Sequence, residues 1–246
     1  MSEIIDIHTH LGDCRVFDLH ETVEELMTAE KKHGVSRWFV QPFPGAPDAT
    51  KVHNEIARLM KEHPGKVYGL VSLNPHMEEE AWKSEVERLV RDEGFVGVKI
   101  HTIGHSMNPL GNDATKVFQT AKKLGVPVMV HTGPGVPFSL PAFVLPRAKE
   151  FPDVNIVLAH AGWGIYVGEA LASALTMPNI YVEPSHVGIF EKGALTGNLA
   201  PERILFGSDI PYNVETELLH FRTLVKDTKS LDKILGDNAR RLFKLR

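Results

Sequence analysis

The feature that most constrains this chain is a regular alternation of two hydrophobic patterns. Eight short runs rich in Val, Ile, Leu and Phe read as buried strands: Ile4 to His10, Arg37 to Phe43, Lys66 to Leu73, Gly94 to His101, Pro127 to Gly133, Asn155 to Gly162, Asn179 to Ser185 and Ile204 to Pro211. The stretches between them carry apolar residues at helical spacing. Val23, Leu26 and Met27 follow an i, i+3, i+4 pattern, with Thr22 and Glu25 placed as a capping box and Gly34 as the stop. Val117, Phe118, Ala121 and Leu124 repeat it before Gly125, as do Ile165 to Leu175 and Leu218 to Val225. Strand beginnings recur every 25–33 residues or so, the length of successive βα units. Eight such units predict a single-domain α/β fold spanning residues 1–246, a (β/α)8 TIM-type barrel, with an open doubly wound sheet as the alternative. The open sheet would favour a glycine-rich phosphate turn after the first strand, where this chain has His8, Thr9, His10, Leu11 and Gly12. The barrel is therefore preferred. The tail from Leu235 to Leu245 reads as one more amphipathic helix covering it.

Composition removes several function classes. A net charge of -4 and a pI near 6.4 give no basic bias toward nucleic acid. Cys14 is the lone cysteine, so neither an internal disulfide nor a thiolate zinc site is expected, and a reducing cytoplasm suits the chain. No signal-like segment and no apolar run approaching about 18 residues appears, so no membrane association is expected. The unusual count is thirteen histidines. His33, His53, His63 and His220, in expected helices or at their ends, read as ordinary surface residues.

The remaining histidines gather at the ends of strands. In the first run, IIDIHTH, strand alternation puts His8 and His10 on one face with Asp6 behind them. Two neutral imidazoles held side by side make half of a metal site. Barrel active sites lie at the carboxyl ends of the strands. Those ends hold His8 and His10 on the first strand, Lys99 and His101 on the fourth, and His131 on the fifth; His160 follows on the sixth and Asp209 on the eighth. Taken together, these buried polar groups need partners, and a shared metal at that end supplies one to all of them.

The ordered motifs DIHTH, GVKIH, VHTG, LAHAG and FGSDIP, with the NARRLF tail, resemble the amidohydrolase superfamily over nearly the whole chain. The resemblance is to amidohydrolase family two, which includes metal-dependent hydrolases and aminocarboxymuconate-semialdehyde decarboxylase-like enzymes. It implies that His8, His10, His131 and Asp209 bind one divalent ion, with Zn²⁺ expected. His160 would either ligate a second ion or stay free as an acid/base group. Lys99 stands where some members carry a carbamylated bridging lysine; unmodified, it would meet a substrate carboxylate.

In the chemistry these roles imply, the ion activates a water, Asp209 takes its proton and later passes it to the leaving group, and His160 or the metal stabilises the oxyanion. Hydrolysis of an amide, ester or lactone of a small molecule is expected first, because the complete ligand set is present and nothing marks a decarboxylase. Non-oxidative decarboxylation of an unsaturated or aromatic acid is the alternative, and a non-catalytic barrel with a structural metal the third. Lys99, His101 and Trp163 are candidate substrate contacts; His105, His186, Arg15 and Arg147 are weaker ones. The loop from Gly133 to Pro146 is either a lid or specificity wall, or a rigid spacer. A homo-oligomer is compatible with all of this.

Overall fold

The computed structural model of the chain describes residues 3–245. Its strands are β1 (Ile5–Cys14), β2 (Leu19–Glu21), β3 (Arg37–Pro42), β4 (Val67–Val71), β5 (Gly97–Ile100), β6 (Val128–His131), β7 (Ile156–Ala159) and β8 (Ile180–Glu183). They form one curled sheet in the order β2-β1-β3-β4-β5-β6-β7-β8, parallel throughout except for the antiparallel β1–β2 pair. Helices follow the strands on the outside. The helix Val23–His33 begins at a complete Thr22/Glu25 capping box and ends at Gly34 in the left-handed conformation, as expected; Gly125 closes Asn112–Leu124 in the same way.

Two elements differ from the sequence pattern. The eighth apolar run, Ile204 to Pro211, forms no regular strand. It makes single parallel bridges instead, Val182 to Ile204 on one side and Thr9 to Asp209 on the other. Leu205 N–H donates to the Val182 carbonyl (2.9 Å), while Ile7 N–H donates to that of Phe206 (3.1 Å) and Asp209 N–H to that of His8 (2.7 Å). This segment thus joins the two edges of the curled sheet, but the left-handed backbone of Asp209 (φ 71°) interrupts a continuous ladder. The second difference is the β1–β2 hairpin. Strand β1 runs on to Cys14 and folds back as Leu-His-Glu, a segment with too little apolar alternation to stand out.

Packing separates two regions. Ile5, Ile7, Phe39, Leu70, Met129, Val157 and Leu205 fill the lower interior, where Leu242 and Phe243 of the tail close it. The Phe243 ring meets Phe39 edge-on at 4.6 Å. The larger cluster lies between sheet and helices. His53 belongs to that interior rather than to the surface: it is fully buried, and its Nε2 accepts the Ser72 N–H at 2.9 Å. Among the described residues no helix is long and apolar enough to cross a membrane.

Candidate active site

Above the apolar plug the interior turns polar, beginning on β1. The register of β1 against β3 shifts between Asp6 and Thr9, so simple alternation breaks there. Ile5 and Ile7 face the plug, yet His8 and His10 both reach the centre, with their rings 5.3 Å apart. Asp6 does not join them at the centre. Its Oδ1 accepts the N–H groups of His8 (3.0 Å) and Ser208 (3.1 Å), tying the two segments that carry His8 and Asp209.

Asp209 Oδ1 lies 3.1 Å from His8 Nε2 and 3.2 Å from His10 Nε2. An ion bound at roughly 2.0–2.1 Å in tetrahedral geometry holds neighbouring donor atoms about 3.3 Å apart. The two distances match edges of such a polyhedron, and the ligand atoms of all three residues lie within 4.8 Å of one another. His131 sits beside them, its ring 4.8 Å from that of His160 and stacked 3.9 Å from that of His101. Neither nitrogen of this buried imidazole has a protein partner. Such an orphan fits a ligand awaiting a metal.

A second carboxylate, Glu183 at the end of β8, also reaches His8, but at the opposite nitrogen: Nδ1 lies 2.6 Å from Glu183 Oε2. Ser185 Oγ donates to the same oxygen at 3.1 Å and lies 2.9 Å from His160 Nδ1. An ionised carboxylate has no proton to give, so both His8 Nδ1 and His160 Nδ1 carry the hydrogen, and both Nε2 atoms keep their lone pairs. Glu183 thus orients His8 from behind, in the position outer carboxylates take in metal sites. The sequence signal for it was available: an acidic residue directly after the apolar run Ile180 to Val182.

The electrostatics suit ligation. Burial pushes His10 down to about 4 and His131 and His160 well below the ordinary imidazole value, which keeps them neutral. Burial alone would raise the Asp209 carboxyl, but His8 and His160 and hydrogen bonds from His10 and His186 hold it well below the usual carboxylate range. Lys99 is buried, with Nζ donating to His8 Nε2 at 2.7 Å; desolvation lowers it to about 8, opposed by Asp209 and Glu183.

A cavity of about 640 Å³ opens over this cluster, within the size range of small-molecule sites. His10, His101, His131, His160, His186 and Asp209 form its floor and sides, and Trp163 stands on its wall with the ring parallel to His186 at 5.1 Å. Lys99 is not among the lining residues; it lies beneath them. Arg147 is not an anchor, because its guanidinium donates to the Pro109 and Gly111 carbonyls and pairs with Glu150. The loop after β6 reaches the cavity only at its start. Pro134 and Gly135 line the cavity, while two short 3-10 turns and a 2.7 Å Thr102–Ser139 hydroxyl contact pin the rest.

His186 was only a weak candidate, yet it holds the other side of Asp209: its Nε2 is 3.0 Å from Oδ2. Burial opposes its charged form, but the bond to Asp209 raises it above the ordinary imidazole value. Its backbone is left-handed (φ 61°), and its N–H donates to Glu217 at 2.9 Å. Glu217 in turn is ion-paired to buried Lys192 and accepts from Asn213, which also donates to the Ser208 carbonyl. A left-handed run from His160 to Gly164, five residues with φ between 42° and 82°, aims His160 and Trp163 inward. Such backbone costs roughly 1–2 kcal/mol at each non-glycine residue.

The curled α/β barrel with a histidine–aspartate cluster at its strand ends defines a class of barrel with a metal-competent centre. The chain belongs to the amidohydrolase family, whose model matches residues 5–245. No curated protein matches it in sequence. Similar solved structures include 2,6-dihydroxybenzoate decarboxylase from Rhizobium, with a TM-score of 0.81, 18% identity and coverage of 100% of this chain and 99% of that one. A dihydroxybenzoic acid decarboxylase from Polaromonas sp. JS666, holding manganese and the inhibitor 2-nitroresorcinol, gives 0.79 at 16% identity, covering 100% and 98%. The 5-carboxyvanillate decarboxylase of Sphingomonas paucimobilis gives 0.77 at 16% identity, covering both chains fully. At these identities the likeness establishes the shared TIM-type barrel fold.

Proposed function

We propose that the protein is a divalent-metal-dependent decarboxylase of an aromatic or otherwise unsaturated carboxylic acid. The observation that carries this reading is the ring-walled cavity standing over the His8, His10 and Asp209 cluster. The fold likeness to decarboxylases of ring acids supports it and moves it ahead of hydrolysis, which the sequence favours because the ligand set is complete and no motif marks a decarboxylase. His8, His10, His131 and Asp209 would hold one ion, zinc or manganese by donor chemistry. When bound, the ion supplies Lewis-acid charge that fixes and polarises a substrate oxygen.

The chain's own groups do the rest. His160 Nε2, a lone pair in this tautomer, accepts a hydrogen bond from a substrate hydroxyl and sets the ring's orientation. The contact between Asp209 Oδ2 and His186 Nε2 holds a proton at the cavity floor. As the bond from ring carbon to carboxylate breaks, its electron pair stays on that carbon, the proton adds there, and carbon dioxide leaves. His101 and Trp163 contact the ring from the walls, and Lys99 acts from below as an unmodified amine. Hydrolysis of an amide, ester or lactone is the second reading, favoured by an ionised Asp209 able to take a proton from water.

Carbon dioxide release from hydroxybenzoates by the manganese- or zinc-loaded protein tests the proposal. Turnover that disappears in Asp209→Asn and falls at least tenfold or so in His160→Gln is expected. Turnover of an ester, lactone or amide panel with no carbon dioxide from any ring acid would sink it in favour of hydrolysis.

A further inference from the structure

The cavity wall above the metal-competent cluster has an unusual charge balance. Phe17, Phe43, Ile103, Pro134, Trp163 and Ile210 make up its apolar part, and among the described residues no lysine or arginine lines it. Basic groups on neighbouring segments stand outside the lining. Lys99 Nζ is held under the floor by His8, Arg147 is bound to two carbonyls and Glu150, and Arg15 is exposed on the β1–β2 hairpin outside the lining. His186 is held by Asp209, and the other imidazoles lining the cavity are neutral donors and acceptors. His101 Nδ1 accepts the Gly104 N–H at 3.0 Å, so its proton sits on Nε2, a donor suited to a hydroxyl or carbonyl oxygen.

We infer that this site selects ring acids with a single carboxylate and rejects diacids of the same ring. One carboxylate would be matched by the divalent ion that the cluster on the floor would hold. A second, anywhere else on a ring filling this cavity, would lose its water against aromatic and aliphatic side chains, with no unpaired cation in the lining to meet it. Neutral oxygen substituents carry no such penalty. The selectivity is set by what the wall residues leave uncompensated rather than by an added attraction.

The inference rests on the ring-acid reading of the site, but binding can test it without turnover. Calorimetric titration of the manganese-loaded protein would use three ligands: 2-hydroxybenzoate, the same ring with a second carboxylate at position 5, and the same ring with a neutral carboxamide there. The monoacid and the carboxamide should bind within a few-fold of each other, and the diacid about tenfold or more weaker. Leu19→Arg at the exposed rim, or Ile103→Arg on the wall if the first does not fold, should reduce that gap by about tenfold. Equal or tighter binding of the diacid overturns the inference, as does a carboxamide as weak as the diacid, which would indicate size alone. Failure of all three to bind overturns it too. Carbon dioxide release is scored separately, so a selective binder that never releases it would overturn only the decarboxylase reading.

Discussion

At the residue scale, the polar cluster depends on groups that do not line the cavity. Glu183 fixes His8 through Nδ1 and, by way of Ser185, fixes His160 as well. Its other oxygen accepts the Ser185 N–H, so a glutamine there would leave one acceptor oxygen for three donors. Glu183→Gln is therefore expected to weaken metal binding by about 10- to 100-fold while far-ultraviolet circular dichroism stays unchanged. Competition against a chromophoric chelator measures it; unaltered affinity would show that His8 is oriented by other means. His131 is complementary, an imidazole buried with both nitrogens unpartnered. Replacing it with alanine should lower affinity for the ion strongly, yet cost less stability in metal-free protein than a core truncation of that size, because an unsatisfied polar group is removed along with the packing. Thermal denaturation of metal-free His131→Ala tests this, and a loss as large as that of a leucine-to-alanine core substitution would contradict it.

At the element scale, the helix Val23–His33 carries Glu30 into the protein with neither carboxylate oxygen hydrogen-bonded. Burial, reinforced by Asp6, raises this carboxyl well above its ordinary value of 4.5. Below about that value both folded and unfolded chains hold the proton and nothing is lost. Above it the unfolded chain ionises while the folded one resists, so stability falls as pH rises toward the folded value. Glu30→Gln should accordingly raise the melting temperature at pH 8, by an amount equivalent to about 1–3 kcal/mol, and change it little near pH 4. An equal shift at both would refute the account.

The same scale shows what the sequence made legible. Regular apolar runs and cap residues located the parallel strands and the helix from Val23, because period and capping are local properties. The β1–β2 hairpin, the bulge at His8 and the bridged segment from Ile204 depend on partners distant in sequence. The strand-end histidines and Asp209 were visible because a polar residue after apolar ones is conspicuous. The partnership of Glu183, Ser185 and His186 with them was not, since it is made by curling the sheet.

At the scale of the whole molecule, metal and fold should be linked. An ion held by residues from β1, β6 and the segment after β8 binds the folded chain and not the unfolded one. Excess divalent ion should raise the melting temperature of metal-free protein, by the equivalent of about 2.7 kcal/mol at a hundredfold excess over the dissociation constant. A melting temperature indifferent to the ion would place binding outside these residues. The polar cluster also depends on Asp6, whose one oxygen clasps the backbones of His8 and Ser208 across 202 positions of sequence. That clasp has a consequence for synthesis. During synthesis His8 and His10 leave the ribosome about two hundred residues before Asp209, the aspartate that lies between them in the fold. If the cluster holds an ion, the pair would be an incomplete chelate until then, and selection among ions would wait on the closing segment.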